Sequence, residues 1–232
     1  FFLILTVVAM LVVLIRKTRQ LDIKWRTSIV FGGIAAVLAF LSYINDIPIS
    51  LYNYPTTDPF SSYILRNIAM DLVYALLTGF GIFFVTAAAE PVYREQYKDR
   101  ISLTNLFSWK GLRTKKFFIA VIVGLTLTFF FAAYQSIFYL VTKKFGGWAP
   151  QDIPYDNLLN TAFPWISVLL IGFLPAVSEE FISRMFSIPF FQKLVKYRWL
   201  AVIIPAFIWG FGHASYPQQP FYIRGLEVGI AG

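Results

Sequence analysis

The run FFIAVIVGLTLTFFFAAYQSIFYLVT, residues 117–142, contains no Asp, Glu, Lys, Arg or His. It exceeds the roughly 20 apolar residues that an α-helix needs to cross a bilayer, with length to spare for tilt. The remainder of the chain has the same character: of 232 residues, 58% are hydrophobic, 19% aromatic and only 14% charged. That is too apolar for an ordinary soluble domain. The expected fold class is all-α, a polytopic transmembrane helix bundle.

Outward from this run, apolar segments recur. Residues 1–15 read as the remainder of a first span. Residues 28–44 form a second, in which Gly32-Gly33 is a small-residue pair suited to close helix contact. Residues 68–89 form a third, with Asp71 near the outer end, read as a helix-end residue facing the interface. Residues 158–177 form a fifth, interrupted by Pro164 and Pro175, and residues 199–213 a sixth. Residues 226–232 open another, giving about six spans plus the start of a seventh. The sequence lacks an initial Met and stops inside an apolar segment, so it is expected to be truncated at both ends.

The net charge of +8 has to be located before it is interpreted. Most of the Lys and Arg fall in three loops: Arg16 to Arg26, Arg94 to Lys116, and Arg184 to Arg198. Such alternation is the positive-inside pattern of cytoplasmic loops, so the excess charge reports topology and not a nucleic-acid partner. In the second loop, Leu103, Leu106 and Phe107 have helical spacing amid basic residues, which suits a helix lying on the membrane, with Trp109 as an interface anchor. The absence of cysteine excludes disulfides, thiolate catalysis and Cys-ligated metal centres.

Charge inside an apolar context is costly and marks function by default. Ser178-Glu179-Glu180-Phe181-Ile182-Ser183-Arg184 places two carboxylates and a guanidinium at the end of the fifth span. Pro175 suits the first turn of a new helix over about 176–194, which would separate this motif from the span before it. At helical spacing Glu180 shares a face with Arg184, while Glu179 lies about 100° round. One carboxylate is then held by Arg184 and the other left to act as a general base toward water. His213, the only histidine, ends the sixth span in Trp209-Gly210-Phe211-Gly212-His213. It suits holding the same water, binding a metal, or donating to an oxyanion. Gly210 and Gly212 permit close approach by the motif helix or a substrate backbone. The plainer alternatives are a solvated salt bridge, a structural histidine, and a proton relay in a transporter, for which no internal repeat speaks.

Glu179-Glu180-x-x-x-Arg184 resembles the first signature of the CPBP intramembrane proteases. That group includes the type II CAAX prenyl endopeptidases and bacteriocin-processing or immunity relatives. Trp209-x-x-x-His213 is similar to the second signature, with Trp in place of the usual Phe. The resemblance covers roughly residues 164–232 and divides the chain into an N-terminal membrane region, 1–116, and a protease-like core, 117–232, that is C-terminally incomplete. A third signature, His followed four residues on by Asn or Asp, would lie beyond Gly232.

The resemblance implies an intramembrane endopeptidase in which Glu179 activates water with His213 and Arg184 orients the glutamates. Its partners would be the lipid bilayer and a peptide or protein substrate, lipid-modified substrates included, in a multi-pass protein of a bacterial plasma membrane. The family is often called metalloprotease, and Glu179 and His213 are the residues that would ligate zinc. A zinc site wants three or four protein ligands, so a glutamate-dependent mechanism ranks first and zinc second. A non-enzymatic immunity or scaffolding protein with the same fold is the alternative.

Overall fold

The computed structural model of the chain describes residues 2–20, 22–100, 102–106, 108–149, 161–215 and 217–232. These form helices α1 (Phe2–Arg19), α2 (Trp25–Asn45), α3 (Ile47–Ser50), α4 (Phe60–Tyr97), α5 (Leu103–Leu106), α6 (Trp109–Leu112) and α7 (Lys115–Lys143). They continue with α8 (Pro164–Glu180), a π-helical stretch (Phe181–Ser187), α9 (Ile188–Leu194), α10 (Arg198–Gly212) and α11 (Tyr222–Ala231). No strand occurs among the described residues, only an isolated bridge between Trp148 and Gln219.

Four helical segments are long and apolar enough to cross a membrane: Trp25–Asn45, Phe60–Tyr97, Lys115–Lys143 and Pro164–Leu194. The described residues thus supply fewer full-length spans than the six or more expected. The fifteen-residue α10 rises only about 1.5 Å per residue, short of the roughly 30 Å hydrocarbon core. The ten residues of α11 are shorter still.

A second expectation is corrected at the motif. Pro175 lies inside α8 and does not begin a separate helix, because the chain stays helical from Pro164 through the π-helical stretch to Leu194. It is Pro164 that occupies the first turn, where a missing N–H costs nothing. In the basic loop, α5 and α6 have four residues each, too few for an extended surface helix. Leu103 is buried, Trp109 is exposed, and Phe107 lies outside the described residues.

The contacts divide the chain into two compact units. One comprises residues 13–91 and 152–182. Its core is the small-residue face of α2 packed on α8, with Phe31, Ala35 and Ala39 buried. The Phe31 ring stands 6.4 Å from Phe173 and 5.4 Å from Phe181. Of the glycine pair, only Gly32 makes a close approach: a Cβ there would sit 2.7 Å from the Gly79 carbonyl of α4, whereas Gly33 faces open space. Lys24 reaches the buried Glu90 at 3.2 Å. The C-terminal end of α2 carries a polar cluster in which Ser42 Oγ donates to Ser167 Oγ at 3.1 Å.

The other unit comprises residues 1–12, 92–151 and 183–232. Here α10 packs on α9 and, most extensively, on α11. The α7 helix is capped by Thr114, whose hydroxyl accepts from Phe117 N–H at 3.2 Å, and none of its residues is buried. A long apolar helix with most of its surface exposed has lipid as its natural solvent.

Candidate active site

Glu179 and Glu180 close α8. Glu179 is half-buried and Glu180 exposed, so the two adjacent carboxylates meet different surroundings. Just before them, Ser178 Oγ donates back to the Leu174 carbonyl at 2.8 Å. From Phe181 the helix widens to π geometry for seven residues. The regular 100° step that placed Arg184 over Glu180 therefore does not run through this stretch. Bonds of i→i+5 type change which side chains stack on successive turns, and such wide turns occur frequently at functional sites.

Arg184 lies in the π-helical stretch and is exposed. One of its Nη atoms donates to the Gly232 carbonyl at 3.3 Å. Ser183, Arg184, Pro205, Trp209 and Gly232 line a small recess between the motif helix and α10. Farther along, Lys193 pairs with Glu95 at 2.9 Å and Tyr97 OH donates to Gln192 Oε1 at 3.0 Å. These two contacts hold the end of the motif helix on the end of α4.

His213 caps the C-terminus of α10. Its Nδ1 lies 2.9 Å from the Trp209 carbonyl. A carbonyl oxygen only accepts, so this bond puts the ring proton on Nδ1 and the lone pair of the neutral imidazole on Nε2. The Trp209 indole meets the imidazole edge to face, with centroids 5.1 Å apart. Trp209 therefore serves both members of this unit's share of the motif: it orients His213 and shares the lining of the recess with Arg184.

The glycines before His213 divide their labour. A Cβ on Gly210 would lie 2.5 Å from Gly229 N and 2.6 Å from the Gly225 carbonyl, whereas Gly212 meets nothing. The close partner at Gly210 is thus α11, where the sequence reading expected the motif helix or a substrate.

Glu227 escaped the sequence reading. It is buried, and its carboxylate pairs with Arg224 and accepts from Tyr139 OH at 3.0 Å. The signal available was an Arg and a Glu three apart inside an otherwise apolar segment, the spacing of a helical ion pair.

Among the described residues, no group of three or more His, Cys, Asp or Glu converges to hold a metal ion. Glu179 and His213 supply at most two of the three or four donors that zinc requires.

Comparison with known proteins finds a likeness to membrane peptidases over part of the chain. Residues 161–231, which contain Glu179, Glu180, Arg184 and His213, match the family model for type II CAAX prenyl endopeptidases, Rce1-like. The sporulation-killing factor biosynthesis protein SkfC of Bacillus subtilis (strain 168) is 23% identical over 208 residues, 88% of this chain and 39% of the relative. The chain therefore spans well under half the length of that relative. No solved structure matches it. The chain is thus similar to this endopeptidase family over residues 161–231, and its several apolar helices are in keeping with a multi-pass membrane protein.

Proposed function

We propose that this chain forms part of an intramembrane endopeptidase that hydrolyses a peptide bond with water activated by Glu179. The observation that carries this reading is the match to the Rce1-like endopeptidase model over a segment holding both signatures. The Glu179 carboxylate accepts a proton as water attacks the peptide carbonyl carbon. That proton passes to the amine as the tetrahedral intermediate collapses, leaving a carboxylic acid and an amine and returning the carboxylate.

His213 contributes the second polar group. With its proton engaged at the Trp209 carbonyl, the neutral ring offers Nε2 as an acceptor, which suits it to holding a water molecule. Arg184 supplies fixed positive charge to the motif helix. No step runs through a metal. The substrate is a peptide or protein; the role of the similar SkfC in the biosynthesis of a sporulation-killing factor favours an enzymatic over a purely structural part.

The test is cleavage of lipid-modified and unmodified peptides by the full-length protein in membranes. Glu179→Gln and His213→Ala are each expected to abolish turnover while expression and melting are preserved. Cleavage retained by either variant overturns the assignment, and a phenotype preserved in Glu179→Gln would favour the non-enzymatic alternative.

A further inference from the structure

A buried ion pair on α11 stands outside the proposed catalytic set. Glu227 is only 5% exposed, and a carboxylate so placed is tolerated only with strong partners. It has several. Arg224 and Glu227 pair across three residues of α11. Tyr139 OH donates to the Glu227 carboxylate at 3.0 Å, and Tyr134 OH donates to the Glu227 backbone carbonyl at 2.8 Å. Two tyrosines of α7 thus hold one residue of α11 by its side chain and its backbone, which fixes the helix both along and about its axis.

The opposite side of α11 meets α10 through glycines. A Cβ on Gly225 would fall 2.8 Å from the Phe211 ring, one on Gly229 2.8 Å from the Phe207 ring, and one on Gly232 2.9 Å from the Trp209 ring. Two aromatic side chains of α10 are therefore seated directly on α11 backbone, and Trp209 on Gly232, the residue that caps α11. A shift of α11 would unseat Phe211 and Trp209 together. Trp209 is the residue whose carbonyl and indole orient His213.

We infer that Glu227 is a positioning residue: with Arg224 and Tyr139 it fixes α11 against α10, and through Trp209 it sets the orientation of the His213 ring. The kinetic consequence rests on the peptidase reading, while the structural one does not.

The experiment uses the full-length protein in detergent micelles, labelled with 15N-histidine and examined at alkaline pH, with the His213 signals assigned by their loss in His213→Ala. Wild type is expected to show the ring protonated on Nδ1. Tyr139→Phe removes a single hydroxyl and Glu227→Gln a single charge. Both are expected to melt cooperatively and yet move the His213 nitrogens toward a mixture of tautomers. For peptide cleavage, kcat should fall about tenfold with KM within about twofold, the signature of a displaced catalytic group.

Folded variants with wild-type His213 shifts overturn the inference, even where their melting temperature is lowered, because that is what a merely structural role gives. Should Glu227→Gln not fold, Tyr139→Phe decides alone. Failure of the peptidase reading shows separately, as an inactive wild type or an active His213→Ala, and in that event the tautomer measurement still decides the positioning role.

Discussion

Asn45 holds both backbone groups of Phe163: its Oδ1 accepts from the Phe163 N–H at 2.8 Å and its Nδ2 donates to the Phe163 carbonyl at 2.9 Å. Phe163 immediately precedes the helix that carries Glu179 and Glu180. Asn45 ends α2 and is itself buried, so one side chain fastens the start of the motif helix to the end of its main packing partner.

The bidentate geometry makes Asn45 irreplaceable by its isostere. Asn45→Asp keeps the acceptor but turns the donor into a second acceptor facing a carbonyl. Asn45→Ala leaves both Phe163 groups without this partner. Each is expected to destabilise the fold by about 0.5–1.5 kcal/mol per hydrogen bond lost, the usual net range, with Asp no better than Ala. Denaturant melts in detergent check the ranking.

Neighbouring glycines give a sharper contrast. Gly210→Ala would drive a methyl group to 2.5 Å from α11 backbone, and Gly32→Ala to 2.7 Å from α4 backbone. Backbone cannot swing aside as a side chain can. Gly212→Ala and Gly33→Ala meet open space. The first pair is expected to lower the melting temperature by several degrees or prevent folding, while the second pair stays near wild type, as a helical Ala is more favourable than Gly. Equal behaviour within a pair would contradict the close approaches.

Much of this architecture is legible in the sequence, because a membrane helix announces itself through length and apolarity alone. Residues 117–142 and 199–213 fall within a residue or two of α7 and α10 for that reason. What the sequence does not carry is long-range polar pairing. Asn45 and Phe163 are 118 positions apart, and an Asn at the end of an apolar run looks like any loop residue. The π-helical stretch likewise has no signature in propensity or period, so helical spacing alone gives a regular step between Glu180 and Arg184. Proline favours helix starts, but α8 accommodates Pro175 inside.

Stability should also depend on pH through Asp46, which follows the last residue of α2. Burial pushes its carboxyl above the ordinary 3.8; a hydrogen bond from Ser167 opposes this, and the nearby Asp71 adds to it. A raised folded-state value means the folded protein holds its proton more tightly than the unfolded chain. This contribution is therefore favourable in acid and is lost as pH rises from 3.8 through the folded value. Asp46→Asn is expected to raise the melting temperature at neutral pH and to have little effect below pH 3.8. Melts of both proteins across that window check the sign; a variant less stable at neutral pH contradicts it.

The two glutamates of the motif should separate kinetically. Glu179 is half-buried and Glu180 exposed, and an exposed carboxylate is well hydrated, which weakens its hold on a single ordered water. A general base in position contributes about 10²–10⁴-fold to rate. Glu179→Gln in the full-length protein is therefore expected to lose that much in kcat, and Glu180→Gln less than about tenfold if its part is to steady the helix end beside Arg184. Because the π-helical stretch begins one residue after Glu180, the pairing with Arg184 is testable by itself. Arg184→Lys keeps the charge but not the fork of donors, and a drop in kcat matching that of Glu180→Gln, with no further loss in the double variant, would place the two in one unit. The reverse order of the two glutamine variants would move the base to Glu180.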